Sequence, residues 1–164
     1  MITMTDLLTD HPFLAGLRPD WLEHLSYQAK RIVYHTGDRL FSEGANADRF
    51  WLIRSGRVGL DLRVPGRGEV LIDSLGPGTV LGWSWVCSTN QWRFGAVAAE
   101  QTLAVVFNAP GVLRLCDEQP ELGYEMARRF LAVVADRLHA SRTRLLDVYG
   151  YDDASDLTPL TLQT

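Results

Sequence analysis

Four histidines, His11, His24, His35 and His139, are dispersed along the chain. No H-x-x-x-H or H-E-x-x-H pair places two imidazoles on one helical turn, so no metal site is read from them, and solvated or capping roles are expected. Cys87 and Cys116 lie far apart without a C-x-x-C partner and read as two buried structural thiols. Gly66-Arg67-Gly68 and Gly76-Pro77-Gly78 lack the strand-to-helix setting and further glycine of a dinucleotide fingerprint, and read as hairpin turns. No nucleophile is paired with a base, and no enzyme is expected. The distinctive chemistry is aromatic: Trp83, Trp85, Trp92 and Phe94 fall within twelve residues. Side chains of this kind either fill a pocket or line it with stacking surface.

The elements that must position these residues belong to one modest domain. The 164 residues carry 46% hydrophobic and 22% charged side chains, the balance of an ordinary globular protein. The net charge is −4, the isoelectric point is about 5.5, and no run of five or six Lys/Arg occurs, so direct DNA binding is not expected. The least charged stretch, 70–91, is broken by glycines and Pro77 and makes a poor membrane span. Asp6 and Asp10 sit where a secretory leader would need positive charge, so a cytoplasmic location is expected.

Residues Thr9 to Ala29 read as short helical pieces, with Pro12 and Pro19 at positions a first helical turn tolerates and Leu14, Leu17, Trp21, Leu22 and Leu25 at helical spacing. From Arg31 the pattern becomes short β-branched and aromatic runs cut by Gly37, Gly44, Gly56, Gly66, Gly68, Gly76, Gly78, Gly82 and Gly95, the punctuation of an antiparallel barrel or jelly roll. Strands are predicted near Lys30–Tyr34, Arg39–Ser42, Arg49–Arg54, Val58–Val64, Glu69–Leu75, Arg93–Glu100 and Leu103–Asn108. A short helix over Val112–Cys116 and a long one over about 121–149 follow. On the long helix Leu122, Met126, Phe130, Val133, Val134, Leu138, Leu145 and Val148 form an apolar stripe, whose second half extends beyond what a small barrel covers. Arg128, Arg129, Arg137, Arg142 and Arg144 read as its solvated, salt-bridged face, or as a contact for an acidic partner. The polar tail from Tyr151 to Thr164 ends it.

Three pieces carry a family resemblance: Thr36-Gly37-Asp38 leading into Phe41-Ser42-Glu43-Gly44, Trp51-Leu52-Ile53-Arg54-Ser55-Gly56-Arg57-Val58, and Leu75-Gly76-Pro77-Gly78-Thr79-Val80-Leu81-Gly82. In this order and spacing the region from about Pro12 to Gly150 resembles the cyclic-nucleotide-binding domain of the catabolite activator protein and its relatives. The resemblance implies a mostly β fold with flanking helices, a double-stranded β-helix or jelly-roll plus a long C-terminal helix, in one domain over 1–150 with a flexible tail over 151–164. Glu125-Met126-Ala127-Arg128-Arg129-Phe130 and Leu145-Leu146-Asp147-Val148 are similar to the family's dimerisation helix, which implies a homodimer. After Gly150 the residues are too few for the family's helix-turn-helix, so a stand-alone module without DNA reading is expected.

The resemblance also points to a phosphate cassette, matched by Gly82-Trp83-Ser84-Trp85-Val86 and Trp92-Arg93-Phe94-Gly95-Ala96. The candidate ligand residues are Gly82, Trp83, Ser84, Trp85, Arg93, Phe94 and Gly95, with Val133 and Val134 as a helical lid. Backbone amides near Ser84 and Trp85 together with the Arg93 guanidinium would hold an anion. Trp83, however, stands where the family's ribose-binding acid belongs, Phe94 replaces a phosphate-binding hydroxyl, and Val133/Val134 replace two hydroxyls that read adenine. Each such loss removes a hydrogen bond worth about 1–3 kcal/mol, so cAMP or cGMP held in the family manner is not expected to bind tightly. Three readings stay open: a nucleotide or other anion in an altered pose, held by Arg93 and signalling through the long helix; a pocket closed by its own aromatics in a ligand-free, protein-docking scaffold; or a flatter, more apolar ligand.

Overall fold

The computed structural model describes residues 1–86 and 90–150. Cys87 and the tail over 151–164 lie outside the described residues. Two compact units are resolved, one from Met1 to Arg129 and one beginning at Phe130.

In the first unit helix α1 (Met4–Asp10), a 3-10 turn (Pro12–Leu14) and helix α2 (Pro19–Ser26) precede eight strands. These are β1 (Ala29–Tyr34), β2 (Arg39–Phe41), β3 (Arg49–Ser55), β4 (Val58–Val64), β5 (Gly68–Leu75), β6 (Val80–Leu81), β7 (Gly95–Ala98) and β8 (Thr102–Asn108). They form two antiparallel sheets, ordered β1-β8-β3-β6 and β2-β7-β4-β5. A second 3-10 turn (Ser84–Val86) lies between β6 and β7. Helix α3 (Ala109–Glu118) and the long helix α4 (Pro120–Val148) follow. The double-sheet roll with helices and a long C-terminal helix is the architecture the sequence implied.

The differences are local and have local causes. Helix α1 starts well before the expected helical region, held by a capping box in which Thr3 accepts from the Asp6 amide and Asp6 accepts from that of Thr3. Helix α3 begins at Ala109, because the Asn108 side chain caps the Gly111 amide and Pro110 fits the first turn. Strand β6, only two residues long, pairs with β3 through Trp51 and Leu52. Strand β7 is confined to Gly95–Ala98, since the amides of Ala99 and Glu100 turn to the Arg57 carbonyl. Cys116 is half-buried rather than buried, and burial with the nearby Asp117 charge raises its thiol pKa.

Strand β3 is covered on both faces. Phe50, Trp51, Leu52 and Ile53 are all fully buried, so its side chains pack on both sides of the pleat. On one side Phe50 stacks on Phe107 of β8 with centroids 4.6 Å apart and on Trp85 at 5.2 Å. On the other side Trp51 faces Phe41 of the opposite sheet at 5.3 Å. The space between the sheets is therefore bridged by aromatic rings.

The second unit contains the rest of α4. Leu131, Leu138 and Leu145 are 68%, 52% and 57% exposed, and Val148 is 79% exposed. Among the described residues no helix is long and apolar enough to cross a membrane.

Candidate functional site

The residues expected to form the cassette divide into three destinations. Gly82 follows β6 with φ +93°, and a side chain there would meet the Trp92 ring at 2.9 Å. Trp83 is half-buried, with its ring 6.3 Å from that of Phe94. Phe94 is buried, and its ring lies 5.9 Å from Phe41. Trp92, 2% exposed, stacks on Phe41 with centroids 3.9 Å apart and planes 19° from parallel, and lies 5.8 Å from Trp51. These rings form one cluster between the sheets, completed by the Trp51 indole N–H donating to the Tyr34 hydroxyl at 3.0 Å.

Trp85 goes elsewhere. It stacks on Phe50, on the opposite face of β3 from Trp51, and its indole N–H donates to the Gly82 carbonyl at 2.9 Å. That bond closes the chain reversal on itself. Arg93 is exposed while its neighbours Trp92 and Phe94 are buried. The 3-10 turn over Ser84–Val86 commits the Val86 amide to the Trp83 carbonyl, and the Val86 side chain is 54% exposed. Val133 and Val134, expected as a lid, are half-buried on the part of α4 that belongs to the second unit.

Two polar atoms within the cassette have no partner. Ser84 is fully buried and its Oγ makes no hydrogen bond, and neither does the buried Trp83 Nε1. A buried polar atom without a partner costs about 1–3 kcal/mol, so among the described residues of the cassette these atoms are where a small polar group would be stabilised on arrival.

The sequence reading missed what lies under Gly95. Asp61 of β4, 10% exposed at its side chain, is held by Arg39 of β2 through two parallel contacts of 2.7 and 3.2 Å, and Arg39 also reaches Glu69 at 3.1 Å. Donating to the Asp61 carboxylate raises the Arg39 pKa further, so the guanidinium is permanently charged. A side chain at position 95 would press on the Asp61 carboxylate and come within 2.6 Å of Arg39 Nη1, so Gly95 serves the ion pair. A carboxylate inside the apolar run Val58–Leu62 was the available signal, because a buried acid requires a partner. The cavity of about 750 Å³ beside this pair is lined by Arg39, Glu43, Asp61, Arg63 and Glu69. Within it Asp61 and Glu69 share Arg39, and Glu43 accepts from the Arg63 amide.

Residues 31–119 match the cyclic nucleotide-binding domain model. The chain is 24% identical over 149 residues to the CRP-like cAMP-activated global transcriptional regulator of Mycobacterium tuberculosis, covering 91% of this chain and 65% of that protein. It is 28% identical over 144 residues to the cyclic AMP receptor protein of Thermus thermophilus, covering 87% of this chain and 64% of that protein. The chain thus spans a little under two thirds of the length of these relatives. A crystal structure of a cyclic nucleotide-binding domain from Methylobacillus flagellatus superposes with a TM-score of 0.73 at 20% identity, covering 89% of this chain and 80% of that one; this likeness shows the fold. With more than half of its length matched, the chain belongs to the cyclic nucleotide-binding domain family.

Proposed function

We propose that this chain is a regulatory module of the cyclic-nucleotide-binding fold whose roll is closed by its own aromatic side chains and which acts through protein contacts. The stacked cluster of Phe41, Trp51, Trp92 and Phe94 is the observation that carries this reading. Those four rings occupy the space between the sheets, and each is 8% exposed or less. Arg93, the cassette's guanidinium, is exposed.

The output surface in this reading is the long helix. Leu131, Leu138 and Leu145 recur every seven residues, with Val134 and Val148 three positions after the first and last of them, the a and d places of a heptad seam. The occupant this pattern fits is a second copy of the same helix, giving a homodimer. Arg137, Arg142 and Arg144 flank the seam by heptad position, so added salt is expected to strengthen the pairing. Sedimentation of the full chain is expected to give a dimer, and Leu138→Asp is expected to give a monomer that keeps the near-ultraviolet dichroism of a packed fold. A monomeric wild type, or a dimer that survives the substitution, contradicts the assignment of the seam.

A second reading rests on the orphaned atoms Ser84 Oγ and Trp83 Nε1. A small anion, or the phosphate of a nucleotide such as cAMP or cGMP in an altered pose, would give the Ser84 hydroxyl an acceptor. A thermal-shift series with phosphate, cAMP, cGMP and a cyclic dinucleotide separates the two. Stabilisation that disappears in Ser84→Ala supports the second reading, and no stabilisation supports the closed roll.

A further inference from the structure

His11 stands outside the cassette and takes no part in the reading above, yet its bonding is unusual. The residue is 5% exposed and uses both ring nitrogens. Its Nδ1 accepts from the Phe13 amide at 3.2 Å, capping the first 3-10 turn, and its Nε2 lies 3.1 Å from the Ile53 carbonyl of β3. An accepting Nδ1 leaves Nε2 as the protonated donor, so both bonds exist together only in the neutral Nε2–H tautomer. Two residues on, the Phe13 carbonyl accepts from Arg129 Nη1 of α4 at 2.7 Å. One short chain of hydrogen bonds therefore joins a central strand of the roll to the first turns of the long helix. His11 is its only ionisable link near neutrality.

We propose that His11 is a proton-operated latch between β3 and the start of α4: a second proton on the imidazole expels the Phe13 amide and loosens the Phe13–Arg129 contact. Proton transfer to Nδ1 turns an acceptor into a donor facing another donor, so the capping bond is lost while the Nε2–H bond to Ile53 is retained. The Ile53 carbonyl also accepts from the Gly78 amide at 2.9 Å, so the strand side of the latch stays anchored. Solvent reaches the ring through a cavity of about 200 Å³ lined by Leu7, Asp10, Ile53, Arg54 and Gly78 as well as His11.

The charged groups around the ring are Asp10 on α1, Arg54 on β3, and Arg129 with its partner Glu125 on α4. Burial lowers the His11 pKa, with the Ile53 bond partly offsetting it. The folded state thus prefers the neutral ring, whereas the unfolded chain titrates near 6.5. As pH falls through that value the unfolded state binds more protons, and stability falls until the folded ring is itself protonated.

The test follows nitrogen-15 signals of the full chain from about pH 7.5 to about pH 5, a span that brackets ordinary histidine titration. The His11 ring is expected to titrate below its unfolded value. Over the same midpoint, Phe13 amide protection, corrected for intrinsic exchange, is expected to fall about tenfold, and the Arg129 guanidinium resonance is expected to move. His11→Asn keeps a capping acceptor but takes no proton, and is expected to abolish both changes. Phe13 protection that ignores the titration of the His11 ring, or a transition that persists in His11→Asn, overturns the proposal. Should that variant not fold, co-titration within the wild type decides.

Discussion

Trp92→Ala is expected to destabilise the protein by about 3–5 kcal/mol, the cost of deleting a large buried aromatic side chain. The ring is 2% exposed, stacks on Phe41 at 3.9 Å and lies close to Trp51 and Gly82. Its removal forfeits the transfer free energy and those dispersion contacts together. Little can collapse into the gap. Gly82 offers no side chain, and Trp51 is fixed from the far side by Tyr34. The loss is read as a lower urea midpoint with the slope unchanged. Because an engineered apolar cavity accepts a ligand of matching shape, indole is expected to raise the midpoint of Trp92→Ala and to leave the wild type unmoved. A variant within about 1 kcal/mol of the wild type would show that the ring does not fill the roll.

Gly56→Ala is expected to be more severe still, above about 4 kcal/mol, where substitutions become diagnostic of a specific failure. Gly56 turns the chain from β3 into β4 at φ +87°, so any side chain is strained there. A Cβ would also sit within contact of the Gln101 carbonyl oxygen and 2.7 Å from Thr102 Cα. Both obstacles are backbone, and Thr102 begins β8, which pairs with β1 and β3. Relief therefore requires a shift of the sheet. Gly37 is the control: its φ is +92° but a Cβ would meet nothing within 4 Å, so Gly37→Ala should cost only the conformational term, about 1 kcal/mol. Calorimetric melting of the two variants separates strain from collision. Equal losses would mean that the Gly56 contact relaxes freely.

The strands were legible in the sequence because glycine marks their ends physically. Val58–Val64 has the same bounds in the reading and in the fold. The two-residue β6 was not legible, since a run enclosed by Gly78 and Gly82 is too short to display alternation. Helix α1 carries its signal in the capping pair Thr3 and Asp6 rather than in apolar periodicity, which begins later in the chain.

The candidate site was legible in its residue types but not in their destinations. Trp85 and Trp92 are near neighbours in sequence yet pack on opposite faces of β3, a partition decided by whether Phe50 or Trp51 receives the ring. Arg93 lies between two buried aromatics and ends exposed, an outcome of packing that no motif encodes. The Arg39–Asp61 pair spans 22 residues and two strands, so only the topology brings it together.

The most direct test of the closed roll is a calorimetric titration of the full-length wild type with cAMP and with cGMP. A roll occupied by Phe41, Trp51, Trp92 and Phe94 predicts no saturable heat from either nucleotide. Nanomolar, one-to-one binding of cAMP or cGMP would contradict it.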